Sequence, residues 1–211
     1  MKASLLVFGL AVGAGALAAQ GVAPAAALSV ATTRVRSEVP TGTSQFAGAV
    51  IGGEGTLALG RVQLDVSYVQ GKVDPDGASG PGYDLVEGAV LVRARTVPWL
   101  TLGAGVHARS YTLPGGTQRW VFTELRARAA GLFIGSAVRG YVELWRAIGA
   151  DVNVPEAFDH AQGGEAGMIV RLSRAPIVAR IAYRIDHAVL GGGTRRETVD
   201  GVLIGIGVSR R

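Results

Sequence analysis

The chain has 211 residues and no cysteine. Only Lys2 and Lys72 are lysines among its 21 basic residues, and aromatic side chains fill just 6% of positions. Without cysteine there can be no disulfide framework and no thiolate metal or redox site, so the fold must be held by its sheet, its core or its surroundings. Charged residues amount to 18%, and the formal net charge is +5. The arginines stand singly, often at alternate positions, with no basic run or stripe, and this excludes nucleic acid as a partner. Beyond the first twenty residues no uncharged run is long enough for a membrane-spanning helix.

The N-terminus begins Met1-Lys2 and continues from Ala3 to Ala19 without a charge. A basic start, an apolar stretch and the small residues Ala16-Leu17-Ala18 have the form of a secretory signal peptide cut near Ala18 or Ala19, with a second possible site at Ala25-Ala26-Ala27. The alternative is an anchor that is never cut. The expected organisation is therefore a signal peptide over 1–19, a short lead-in over 20–27 and one β domain over 28–211.

What is abundant is glycine, 32 residues, together with apolar residues at every second position. Val86, Gly88, Val90, Val92 and Ala94 share one strand face, with Glu87, Arg93 and Arg95 on the other. After the turn at Val97-Pro98-Trp99, Leu100, Leu102, Ala104, Val106 and Ala108 repeat the pattern against Thr101, Gly103, Gly105, His107 and Arg109. Strand side chains alternate between faces with period two. Short turns around Gly60, Pro98, Gly135-Ser136 and Ala175-Pro176 are spaced by 38, 37 and 40 residues. Longer, turn-rich connections lie at 40–44, 74–82, 114–118, 149–163 and 190–195. Ten strands follow: 28–39, 45–59, 61–73, 83–96, 99–112, 119–133, 136–148, 163–174, 177–189 and 196–209. Short turns on one rim, longer loops on the other and an even strand count predict an all-β, antiparallel, up-and-down transmembrane β-barrel.

The apolar face, including Val62, Leu64, Val66, Val138, Val142, Leu144, Val202, Ile204, Ile206 and Val208, is expected to meet lipid. The other face is expected to form a charge network in the lumen from Arg34, Arg36, Glu54, Asp65, Glu87, Arg93, Arg95, Arg109, Glu124, Arg126, Arg128, Arg139, Glu143, Glu165, Arg171, Arg180, Arg184 and Asp186. Glu38 and Asp200 fall in the same set. Arginine binds carboxylate through a planar two-pronged contact that lysine cannot form, which suits a partly desolvated interior. Aromatics gather toward strand ends: Trp99 and Phe133 at short turns, Phe46, Tyr68, Tyr83, Tyr111, Trp120 and Phe122 beside the longer loops. They are expected to form interfacial girdles.

The signal-like start, the five-hairpin rhythm and the period-two alternation make the chain resemble the small bacterial outer-membrane β-barrel proteins. The resemblance implies a place in the outer membrane, lipid around the barrel and the outer-membrane insertion machinery as a partner in biogenesis. Members of that class usually end their last strand in an aromatic residue, whereas 196–209 carries none.

No cofactor, metal site or catalytic group is expected. Asp159-His160 lies in a connection, and Asp186 and His187 are neighbours on a strand and so face opposite ways. Barrel proteases of the omptin type place Asp and His pairs at the outer rim, which keeps a rim enzyme as an alternative. His107 and Ser110 have no visible orienting partner. Gly103-Ala104-Gly105 and Gly191-Gly192-Gly193 lack the ending of a phosphate loop. Asp74-Pro75-Asp76-Gly77 reads as a turn. The expected role is structural or surface-interacting, through a largely filled lumen and the exposed loops. A narrow passive pore, or a secreted or periplasmic barrel carrying a ligand, would also accommodate the pattern.

Overall fold

Sustained alternation gives ten strands because every second side chain can be apolar while every backbone group is paired across the sheet. The computed structural model describes residues 22–77, 80–113, 115–135, 137–172 and 175–209. The expected signal peptide over 1–19 lies outside them. The strands are β1 (Val22–Val39), β2 (Gly42–Leu59), β3 (Val62–Pro75), β4 (Tyr83–Val97), β5 (Leu100–Leu113), β6 (Gly116–Ile134), β7 (Val138–Val152), β8 (Phe158–Arg171), β9 (Ile177–Leu190) and β10 (Arg195–Ser209). Each pairs antiparallel with its neighbours in sequence, and β1 pairs with β10 to close the barrel.

Two boundaries differ most from expectation. The lead-in is strand: Val22 pairs with Leu59, and Ala25 pairs with both Thr56 and Ser209. Alanine and Pro24 are poor strand formers, so local preference hides a segment that is ordered by partners on both sides. The connection expected over 149–163 shrinks to 153–157, because β7 continues to Val152 and β8 starts at Phe158. Its Gly163 is a strand residue. A Cβ on Gly163 would stand 2.3 Å from Trp145 Nε1 and 2.6 Å from the Ile185 carbonyl oxygen, so this glycine serves a close approach and not a turn.

The two faces divide as the alternation requires. Leu28, Val30, Ile51, Val66, Val90, Leu102, Val106, Leu144, Ile181, Ile204 and Ile206 are exposed on the outside. The buried side chains point inward, among them Val35, Val73, Leu85, Trp120, Phe122, Glu124 and Glu143. A β-bulge at Ile148 shifts the register between β6 and β7, from Glu124↔Ala147 to Thr123↔Gly149. Inward parity on β7 therefore passes from Tyr141, Glu143, Trp145 and Ala147 to Ala150 and Val152, which pack on the core.

The exterior band makes a direct prediction. Ile204 stands mid-way along the outward run Val202, Ile204, Ile206 and Val208. Ile204→Arg is expected to destabilise the barrel in phospholipid vesicles by about 2–4 kcal/mol, the cost of arginine near a bilayer midplane. Urea unfolding followed by tryptophan fluorescence checks it. An unchanged midpoint would place this face in water.

Candidate functional site

The inward positions build two layers. Toward the loop rim the filling is aromatic and aliphatic: Phe46, Tyr83, Tyr111, Trp120, Phe122, Trp145 and Phe158 pack with Val35, Val73, Leu85 and Leu190. Phe46 and Tyr83 stand 4.4 Å apart between ring centroids, and Phe122 lies 6.0 Å from both Trp145 and Phe158. Tilted and edge-on contacts of this kind add to simple burial.

Below this layer the filling is ionic. Arg109 donates from Nε to Glu87 Oε1 at 2.5 Å and from Nη2 to Asp186 Oδ2 at 2.6 Å. Arg184 donates to the same two carboxylates, at 3.2 Å to Glu87 and 2.5 Å to Asp186. Trp145 Nε1 donates to the remaining oxygen of Asp186 at 2.8 Å. These groups are brought together from β4, β5, β7 and β9, so the cluster spans the lumen. A second cluster centres on Glu143. It accepts two bonds from Arg93, at 2.5 and 3.1 Å, and one from Arg126 at 2.9 Å. Arg93 also reaches Asp65 at 2.6 Å, and Arg126 reaches Glu124 at 2.5 Å. Nearest the turns, Arg180 donates to Glu54 at 2.6 Å, to the Tyr141 hydroxyl at 2.7 Å and to Glu165, while Tyr141 donates to Glu165 at 2.7 Å.

His107 joins the first two clusters. Its Nε2 is 3.4 Å from Glu87 Oε1 and its Nδ1 3.7 Å from Glu124 Oε2, and all three side chains are buried. Charges this far from water are tolerable only when paired and hydrogen-bonded on most sides. Arginine supplies enough donors to hold two or three carboxylates at once, which explains its use here in place of lysine.

Several expected network members lie elsewhere. Arg34 and Arg36 point outward, Arg34 opposite Asp200 and Arg36 3.5 Å from Glu38. Tyr183 donates to Asp200 at 3.2 Å, also outside. These strands continue past the apolar band, and above it the outer face meets water while inward Thr33 and Val35 stay buried, so a charge there can stand outside. Arg95, Arg139 and Arg171 have inward parity but stand exposed at the turn-side mouth. The girdle assignment needs a larger correction. Tyr68, Trp99 and Phe133 are exposed, Phe133 at 71%, whereas Trp120 and Phe122 are each 1% exposed, and Tyr83 and half-buried Phe46 pack inside with them. Parity could have revealed this: Trp120 and Phe122 alternate in step with Glu124 and Arg126, Tyr83 with Glu87, and Tyr111 with Arg109.

The barrel has a counterpart among solved structures. The outer membrane protease OmpT from Escherichia coli superposes with a TM-score of 0.59 at 8% identity, over 89% of this chain and 97% of that one. The fold is that of the bacterial outer-membrane β-barrels. An outer membrane channel from Pseudomonas putida F1 shares it at a TM-score of 0.52 and 8% identity, over 89% of this chain and 95% of that one. No family model matches the chain, and no curated protein matches it. One neighbour is a protease and the other a channel, so the function has to be argued from this barrel's own groups.

Among those groups, Asp159 accepts a bond from the Gly192 backbone N–H at 2.7 Å, and His187 Nδ1 faces Thr198 Oγ1 at 3.1 Å on the outer side while Asp186 points inward. No cluster of three or more His, Asp or Glu suited to a metal ion occurs among the described residues. The expected network also omitted several inward partners. Tyr141 and Trp145 are two of them, and Tyr111, which donates to Glu197 at 2.7 Å, is another. Arg195 lies 3.6 Å from Glu156. Charge alone does not point to the aromatic donors, but parity does: with Glu143 for Tyr141 and Trp145, and with Arg109 for Tyr111.

Proposed function

We propose that this protein is a non-conducting outer-membrane barrel whose role is structural or surface-interacting and is exercised at the loop rim. The observation that carries this reading is the sequence of buried, mutually bonded side chains across the lumen, from the Trp120–Phe122–Trp145 layer through the Arg109 and Arg93 clusters. An eight-strand barrel is just wide enough for side chains to fill, and ten strands lined with arginine, tryptophan and tyrosine can be filled in the same way. Location in the outer membrane is supported by the exposed apolar band, the closed sheet without edges and the fold it shares with known outer-membrane barrels. The rim keeps its freedom to vary because the scaffold beneath it is rigid.

Planar-bilayer recording tests the reading. The refolded full chain is expected to give no resolved conductance steps in salt solution. Stable open steps would overturn the non-conducting assignment and make a narrow pore the better account.

A further inference from the structure

Charge is distributed unevenly along the lumen. On the loop side, Arg109, Arg184 and Arg195 match Glu87, Asp186 and Glu197. On the turn side, Glu54, Asp65, Glu124, Glu143 and Glu165 are already engaged by Arg93, Arg126, Arg180 and the Tyr141 hydroxyl. Arg95, Arg128, Arg139 and Arg171 also have inward parity there, and none makes an ion pair with a described residue. Arg128 lies with its guanidinium carbon 3.9 Å from the Tyr141 ring centroid. One face of the guanidinium is thus covered, while its N–H edge has no acceptor among the described residues.

Arg128 borders a vestibule of about 140 Å³ at the turn-side mouth. Arg180 and Glu54 line its inner end, joined at 2.6 Å. Ile169, Val178 and Leu203 supply an apolar wall, continued along the strand of Leu203 by Gly205 and Gly207. The space equals about five waters at roughly 30 Å³ each, enough for a short aliphatic chain. Unpaired guanidinium beside a small apolar wall is the chemistry that holds a carboxylate with a hydrocarbon tail. Glu54, on the same lining, repels a dianion more strongly than a monoanion.

We propose that the turn-side vestibule binds a small aliphatic monocarboxylate, with its carboxylate on Arg128 and its chain against Ile169, Val178 and Leu203. Arg139 and Arg171 at the mouth raise the local concentration of anions. The site lies at the turn side, away from the loop rim, so it is independent of the role proposed for the loops.

Methyl NMR on the full chain, refolded in phosphatidylcholine nanodiscs at low ionic strength, tests this with butyrate as probe and butylammonium as its cationic match. Butyrate is expected to give saturable shifts at the Ile169, Val178 and Leu203 methyls and none at the outward Ile181 and Ile204, while butylammonium gives none at the first three. Arg128→Gln is expected to weaken butyrate by about tenfold or more. Val178→Phe, which fills the space and leaves Arg128 in place, is expected to abolish the shifts. Equal shifts with butylammonium, shifts that rise without saturating, or an Arg128→Gln affinity unchanged would each overturn the proposal.

Discussion

Gly201→Ala is expected to stop the barrel from closing. A Cβ at Gly201 would stand 2.0 Å from the Thr32 carbonyl oxygen and 3.4 Å from the Thr33 Cα, both on β1. Those are backbone atoms of the strand across the closing seam, where Gly201 pairs with Thr33, and they cannot swing aside as a long side chain would. The two strands would have to part, leaving ladder groups unpaired at the edge of the apolar band, where lipid offers no replacement for the pairs below it. The same seam is tight at Gly207, where a Cβ would meet the Ala26 carbonyl oxygen at 2.5 Å. Heat-modifiable mobility on SDS gels reads this directly. The parent chain is expected to migrate differently unboiled and boiled, and Gly201→Ala to run at the boiled position in both. Gly55→Ala is the control, since a Cβ there meets nothing within 4 Å, and it should keep the shift. A retained shift in Gly201→Ala would mean that the seam has more room than its strand spacing allows.

Removing Arg109 should produce the largest loss of stability among single changes to the lumen. Its guanidinium is 5% exposed and holds both Glu87 and Asp186. Without it, two buried carboxylates share Arg184 alone among the arginines that bond them, with His107 at 3.4 Å from one and Trp145 bonded to the other. Breaking a buried pair by deleting one partner typically costs about 3–5 kcal/mol, because the remaining charge stays out of water. Arg109→Ala is expected to fall in that range, measured as the shift in urea midpoint of the barrel refolded into vesicles. Adding Glu87→Gln should recover part of the loss, since it removes the charge left behind. The double variant should then be more stable than the two single effects summed. Strict additivity would show that the two groups are uncoupled and that the cluster does not act as a unit.

How much is legible in the chain depends on what each feature obeys. The ten strands, the short-turn rhythm and the lipid-facing set from Val62 to Val208 are local in origin: period-two alternation and glycine- or proline-marked turns act within a few residues. Most of the charge network follows from the same alternation, as Glu87, Arg93, Arg109, Glu124, Arg126, Glu143, Arg180, Arg184 and Asp186 all face inward. Arg34 and Arg36 do not follow, because above the apolar band the outer face meets water and takes charge while the inner face, with Val35, is apolar and buried. Trp120 and Phe122 depart from the girdle for a related reason. Position near a strand end suggests a girdle, yet parity, which the pleat imposes without exception until a bulge intervenes, puts them with Glu124 and Arg126.

The sequence by itself determined the antiparallel up-and-down order, about ten strands, and which residue types line the two faces, since these are set by side-chain alternation and turn chemistry; that all ten close into one barrel is a tertiary result. Only the tertiary structure decided the partners. Arg109 bonds Asp186, 77 residues away, and Arg180 bonds Glu54, 126 residues away. Contacts across a lumen depend on the relative stagger of all ten strands, and that stagger is an outcome of closure between β1 and β10 rather than of any one strand's pattern. The N–H edge of Arg128, without an acceptor among the described residues, emerges in the same way, once closure has matched Arg93, Arg109, Arg126, Arg180 and Arg184 to their carboxylates.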